Sequence, residues 1–263
     1  MGVITRVFGP RAWLVLEGVA RFFDDYMAHE SDELLRAEMT SFMKEFFFLT
    51  GFVLPCIYCR ISYQEFTDPS DPDNHNTDLY HMLMLKDGAK KLVYNLHNRV
   101  SRKLRDQERE KFQDDFKKLE EVNAEWKQKH ISFDEAIKTR FPSVVSRRFW
   151  NAMVVFLALI MCDFRSEESC YIFRFYWVIG KMLDRAHRPP EVKFARVYAC
   201  ALEQTLPIWK YDMPLSTRMD IVWTIKKYVF SVRDWPFNHT RHSFEEKCKT
   251  AIVGCVPEKK SRK

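Results

Sequence analysis

Leu54-Pro55-Cys56-Ile57-Tyr58-Cys59-Arg60 sets two cysteines three residues apart, directly after a proline. Proline is tolerated in the first turn of a helix, where its missing N–H has no partner to lose. The stretch therefore predicts a helix beginning at the pair. Such a helix aims unpaired N–H groups and a partial positive charge at both sulfurs. That field favours thiolate over thiol and draws a cysteine pKa from about 8.5 toward ~7 or below. Thiolate is the form that attacks disulfides, gives up electrons and binds metals. Three readings of the pair stay open at this level: a redox couple, half of a zinc site, and two incidental core cysteines.

The flanks read as helices on both sides. Upstream, Trp13, Leu16, Ala20 and Phe23 recur at three and four, one face of an amphipathic helix. Ser31 through Leu49 predicts a second helix, with Ser31 as N-cap and Gly51 as its end. Its apolar stripe is Leu34, Leu35, Met39, Phe42, Phe46 and Leu49. Downstream, the cysteine helix is expected to run to about Phe66 and to stop in the Asp- and Pro-rich loop Asp68–Asn76. A long fourth helix is expected from about Asp78 through Leu104. The charged stretch from Arg105 to His130 keeps a helical period at Phe112, Phe116, Leu119 and Val122. Ser132 and Glu135 form a capping-box pattern that opens a short fifth element ending at Arg140.

Phe141-Pro142-Ser143 reads as a boundary between two units, residues 1–141 and 145–263. Beyond it helices are expected over about Val145–Phe164, Glu167–Arg185, Glu191–Leu206, Ser216–Val232 and Ser243–Val253. Only 7 of the 263 residues are Gly, and strand-like alternation is weak throughout, so the expected class is all-α with a second all-helical domain.

Seven cysteines in 263 residues are too few, and odd in number, for a disulfide scaffold. They fit a reducing compartment in which any disulfide is catalytic. Met1 to Phe23 does not read as an export signal, because Glu17 breaks its apolar run and no small-residue cleavage site follows. The longest apolar run, Ala152–Cys162, is about half the ~20 residues of a membrane span and reads as a buried helix. Charge is uneven. Residues 1–140 hold 21 of the 42 Lys and Arg and 24 of the 36 Asp and Glu, a balance of −3; residues 141–263 hold the other 21 and 12, a balance of +9. No recognition motif accompanies the basic half, so a nucleic-acid partner is not expected.

A second constellation stands in the fourth helix: His97-Asn98-Arg99-Val100-Ser101-Arg102-Lys103-Leu104. On a helix His97, Val100, Ser101 and Leu104 share a face, with Asn98 at its border. The result is an apolar strip edged by an imidazole, an amide and a hydroxyl, with cations close by. It suits a planar heteroaromatic ring bearing phosphates, and equally an ordinary half-buried helix.

These residues resemble the His-Asn-x-Val-Asn-x-Lys-Leu signature of the Erv/ALR family of FAD-linked sulfhydryl oxidases, with Ser101 for the second Asn. Gly9, Trp13, Leu16 and Ala20 are similar to that family's Gly-x-x-x-Trp-x-x-Leu-His-x-x-Ala opening, with Glu17 where the His is expected. Leu54-Pro55-Cys56-x-x-Cys59 resembles its Pro-Cys-x-x-Cys motif, and Ile131–Glu135 its Ser-Trp-x-Glu helix start, with Phe133 for Trp. The four motifs keep family order over roughly residues 8–140, with a charged insertion near 105–130. The short domain and the unmatched C-terminal half look most like the thiol oxidases of large DNA viruses.

The resemblance implies a four-helix bundle with a short fifth helix cradling FAD. By it, Cys59 lies against the flavin and Cys56 is the more exposed, exchanging sulfur. Gly9, Trp13, Glu17, His97, Asn98, Val100, Ser101, Lys103 and Phe133 fall at family positions around the cofactor, Glu17 placing an anion where a donor is expected. The implied activity is oxidation of thiols in protein substrates by O2, giving H2O2. A homodimer is expected, with the helical C-terminal half docking on the oxidase domain and forming the dimer or a substrate-facing surface. The expected place is the host cytoplasm or virus factory or a virion. Cys248 and Cys255 are candidates for a mobile shuttle pair, although their spacing on one helix face disfavours a bridge within an unbroken helix. Cys162, Cys170 and Cys200 are expected in the core. Three rival classes stand beside the oxidase. A thioredoxin-like isomerase would set its Cys-x-x-Cys between a strand and a helix, where Ser31–Leu49 has a helical period instead. The others are a helical binding module with zinc on Cys56, Cys59, His75 and His81, and a non-catalytic virion protein.

Overall fold

Helix α1 (Thr5–Met27) is covered on almost every side. Its expected stripe is buried at Leu16, Ala20 and Phe23, but Val15 and Val19, on another face, are buried as deeply. Burial on two faces means that two neighbours cover it, and α1 packs against α5 (Gly88–Lys111) on one side and α8 (Arg147–Cys162) on the other. Gly18 sits under the Phe149 ring, where a Cβ would come within 2.4 Å of it. The closeness of α1 and α8 depends on that missing methyl.

The structure, a computed structural model, describes residues 5–162, 169–185, 213–232, 235–237 and 240–249. Among them the regular elements are α-helices and one 3-10 turn, with no strand, as the composition predicts. The others are α2 (Glu33–Val53), α3 (Ile57–Thr67), α4 (Leu79–Met82), α6 (Phe116–Lys129), α7 (Phe133–Thr139), α9 (Ser169–Arg185), α10 (Leu215–Val232) and α11 (Arg241–Lys249). No helix among the described residues is long and apolar enough to cross a membrane.

Helix α2 lies along α9, joined by Arg185–Glu38 at 2.9 Å and by Arg174 on Glu45; α10 and α11 pack on α8. One apolar core runs from Phe8 to Phe244. The connection at Phe141-Pro142 is buried within it, and the helices before and after that point share the same interior. Trp150 and Trp223 are core residues, the Trp150 indole donating to the Val144 carbonyl at 2.6 Å.

Several local expectations are corrected. The N-cap of α2 is Asp32, not Ser31: its carboxylate accepts the N–H groups of Leu34 at 2.8 Å and Leu35 at 3.2 Å. Leu34, in that first turn, is 82% exposed and leaves the stripe. Gly51 does not end α2, which runs on to Val53. Gly51 instead lies against the Tyr63 ring, and the Tyr63 hydroxyl donates to the Phe47 carbonyl at 2.8 Å. The fourth helix is two helices, because Asp87 takes a left-handed φ of 55° and Gly88 packs so tightly on the Met82 carbonyl that no Cβ fits. From α1, the buried Asp24 carboxylate then accepts the N–H groups of Ala89 at 3.2 Å and Lys90 at 2.9 Å, capping α5.

The charged stretch is broken at Phe112–Asp115, after which α6 folds back on α5. The Ser132 cap holds as expected, its hydroxyl accepting the Glu135 N–H at 3.3 Å. The expected helix over Glu191–Leu206 lies outside the described residues.

Candidate functional site

The cysteine pair opens α3, though one residue later than the proline suggested. Pro55 is buried ahead of the helix, Cys56 is the N-cap in extended conformation, and Cys59 lies in the first turn. Both sulfurs therefore stand at the end where helix N–H groups lack partners. Cys56 is only 3% exposed, whereas Cys59 is half-buried. This reverses the expected order of exposure: the N-cap Cys56 is buried along with Leu54 and Pro55 before it.

Both cysteines line an open, mainly apolar cavity of about 440 Å³, between α1, α3 and α5. Gly9 and Trp13 of α1 and Val100 and Lys103 of α5 line it with them. Three stretches far apart in sequence thus meet at one place. Lys103 is held at its edge by donating to the Ser62 hydroxyl at 2.7 Å. Phe66, another wall, carries the Arg99 guanidinium at 4.8 Å from its ring centre.

On another face of α5 lies a second cavity, of about 720 Å³. His97, Asn98 and Ser101 line it, together with Arg102, Arg105, Lys127, Lys129 and Arg140. No carboxylate is among its lining residues within the described part of the chain. Both volumes lie within the roughly 300–1,000 Å³ of small-molecule sites. Leu104 lines both, and a stacked pair stands between them: the Trp13 ring, facing the first cavity, lies 4.4 Å from the His97 ring, which faces the second.

Glu17 lies behind this stack with a 3% exposed side chain. Arg140 Nε and Nη2 donate to its Oε1 at 2.9 and 2.7 Å. Burial pushes the Glu17 pKa up, against the pull of Arg140. His97 Nδ1 is 3.5 Å from the same oxygen but makes no hydrogen bond, and it is buried. The expected anion is therefore present, with a guanidinium beside it that the sequence reading missed. The partners are 123 residues apart, and no local pattern links them.

Phe133 stands apart from both cavities, its ring edge-on to Tyr94 with centroids 5.4 Å apart. The Cys248 side chain, Cys255 and Cys200 lie outside the described residues, as does the Cys162 side chain. Cys170 is exposed rather than in the core. Among the described residues no three His, Cys, Asp or Glu side chains are grouped to hold a metal, so Cys56, Cys59, His75 and His81 do not assemble there.

The residues present fit a dinucleotide carrying a flat ring. An apolar cavity beside two sulfurs suits the ring, an acid-free cationic one suits phosphates, and His97 Nδ1 is a buried polar atom without a hydrogen bond. No family model matches this chain, and no curated protein or solved structure is significantly similar to it.

Proposed function

We propose that the chain is an FAD-dependent sulfhydryl oxidase of the Erv/ALR type, forming disulfide bonds in protein substrates. The observation that carries this reading is the convergence of Cys56 and Cys59 with Gly9, Trp13, Val100 and Lys103 on one cavity. These residues come from three motifs with nothing in common except the family resemblance. The cationic cavity across α5 supports it further, since Asn98, Ser101 and His97 line that side.

In this reading a substrate thiolate attacks one sulfur of an oxidised Cys56–Cys59 pair. A mixed disulfide forms and the other sulfur leaves as thiolate; the substrate's second thiolate then displaces the first sulfur, leaving an oxidised substrate and a reduced pair. The N-terminus of α3 stabilises the thiolate at each stage. Trp13, Val100 and Leu96 keep water from the cavity wall, and Lys103 adds positive charge at its rim. Bound FAD supplies the two-electron acceptor that regenerates the pair and delivers the electrons to O2 as H2O2.

Ile57, Tyr58 and Ile61 are 43%, 50% and 45% exposed around the pair and offer an apolar surface to an incompletely folded, thiol-bearing substrate. The resemblance carries with it a homodimer and a place in the host cytoplasm, virus factory or virion. The test is oxygen uptake by the purified protein with dithiothreitol. Stoichiometric H2O2 is expected, and a flavin-loaded protein that consumes no oxygen would refute the activity.

A further inference from the structure

The cationic cavity has an outer wall that belongs to no motif: α6, from the charged stretch between α5 and α7. Resting on the flavin reading, we propose that α6 is a nucleotide-binding element that holds the adenosine diphosphate half of the dinucleotide against α5.

Helix α6 is seated rather than loosely appended. Val122 is buried against the molecule, and the Trp126 indole donates to Glu108 of α5 at 2.9 Å. That bond holds an aromatic surface at the cavity wall. Five Lys and Arg side chains surround the space, but they are not equally available. Arg140 is engaged by Glu17, Arg105 by Asp106 and Lys129 by Glu125. Arg102 of α5 and Lys127 of α6 line the cavity and make no ion pair among the described residues. Two cations from facing helices that make no ion pair among the described residues, with an indole lining the same cavity, match the phosphates and the ring of an adenosine diphosphate. The cysteine cavity offers the opposite: apolar walls, with Lys103 as the one Lys or Arg lining it among the described residues. A molecule with a flavin ring at one end and an adenosine diphosphate at the other would divide between the two accordingly.

The experiment is equilibrium binding of FAD, FMN and ADP to the full-length, flavin-free protein by calorimetry. FAD should bind at least about tenfold more tightly than FMN, and Arg102→Glu, Lys127→Glu and Trp126→Ala should each weaken FAD about 10–100-fold while leaving FMN within about twofold. Trp126→Phe, which keeps a ring, should retain most of the affinity and guards against misfolding. Variants that bind FAD as the wild type does, or a wild type that binds FMN as tightly as FAD, would overturn the assignment. If neither flavin binds, the oxidase reading fails, and ADP decides separately. ADP binding that Lys127→Glu abolishes keeps the α6 site; no ADP binding removes it.

Discussion

The two cavities beside α5 share a helix, a leucine and a stacked ring pair, yet their chemistry is opposite. One is walled by α1 and α3, carries two sulfurs and is mainly apolar. The other is walled by α6 and Arg140 and, among the described residues, is lined by five Lys and Arg side chains and no acid. An α-helix turns successive residues through different directions, so the one segment His97 to Leu104 serves both spaces: His97, Asn98, Ser101 and Arg102 line one, Val100 and Lys103 the other, and Leu104 both. What divides the site is therefore the placement of the neighbouring helices rather than any change within α5.

If the two sides are functionally distinct, they should break separately. The largest effect is expected on the sulfur side. Cys56→Ser and Cys59→Ser should each lower turnover roughly a thousandfold or more while leaving flavin bound, as read by oxygen uptake and the visible spectrum. A variant with normal uptake would release that sulfur from the chemistry. The reversed exposure sharpens this: in flavin-free, reduced protein Cys59 should be alkylated faster than Cys56, with peptide mass spectrometry as the readout. FAD should slow the reaction at Cys59.

On the cationic side, Arg140→Ala leaves the buried Glu17 carboxylate without its guanidinium. Loss of one partner of a buried pair costs about 3–5 kcal/mol. Burial is then opposed only by the weaker pull of Arg148, so the Glu17 pKa rises further. The deficit should be larger near pH 8 than near pH 5, since taking up a proton relieves the unpaired charge. Denaturant unfolding at both pH values checks this. An equal loss at each would show that Arg140 acts through something other than Glu17.

A smaller effect should touch neither cavity. Asp24 caps α5 from α1, and burial pushes its carboxyl from the ordinary 3.8 up to about 6. The folded state then binds the proton more tightly than the unfolded chain. Stability from this group is present below 3.8 and lost as pH rises through about 6. The melting temperature should fall between pH 5 and 7 more in the wild type than in Asp24→Asn. Parallel curves would remove Asp24 from the pH dependence.

The sequence made the helical class and the cysteine helix readable because each rests on local spacing, whereas the single strip expected of His97, Val100, Ser101 and Leu104 is divided, His97 and Ser101 lining the cationic cavity and Val100 the cysteine one. The Ser132 cap was readable for the same reason. The Asp87–Gly88 break was present as a turn signal but lay within an apolar period that continued past it. Contacts between distant segments left no local trace. The Glu17–Arg140 pair, the Asp24 cap on α5, the second buried face of α1 at Val15 and Val19, and the Trp126–Glu108 bond all depend on how helices meet. Cys170 was assigned to the core from an apolar helix, but only part of α9 faces inward.

The account depends most on the sulfurs and a flavin sharing the cavity between α1, α3 and α5. The most direct test is anaerobic titration of the flavin-loaded protein with dithiothreitol, followed in the visible band. Bleaching that consumes one dithiol per flavin in the wild type and stops in Cys59→Ser is the predicted result. A folded protein that takes up no flavin, or whose flavin bleaches equally well without Cys59, would contradict it.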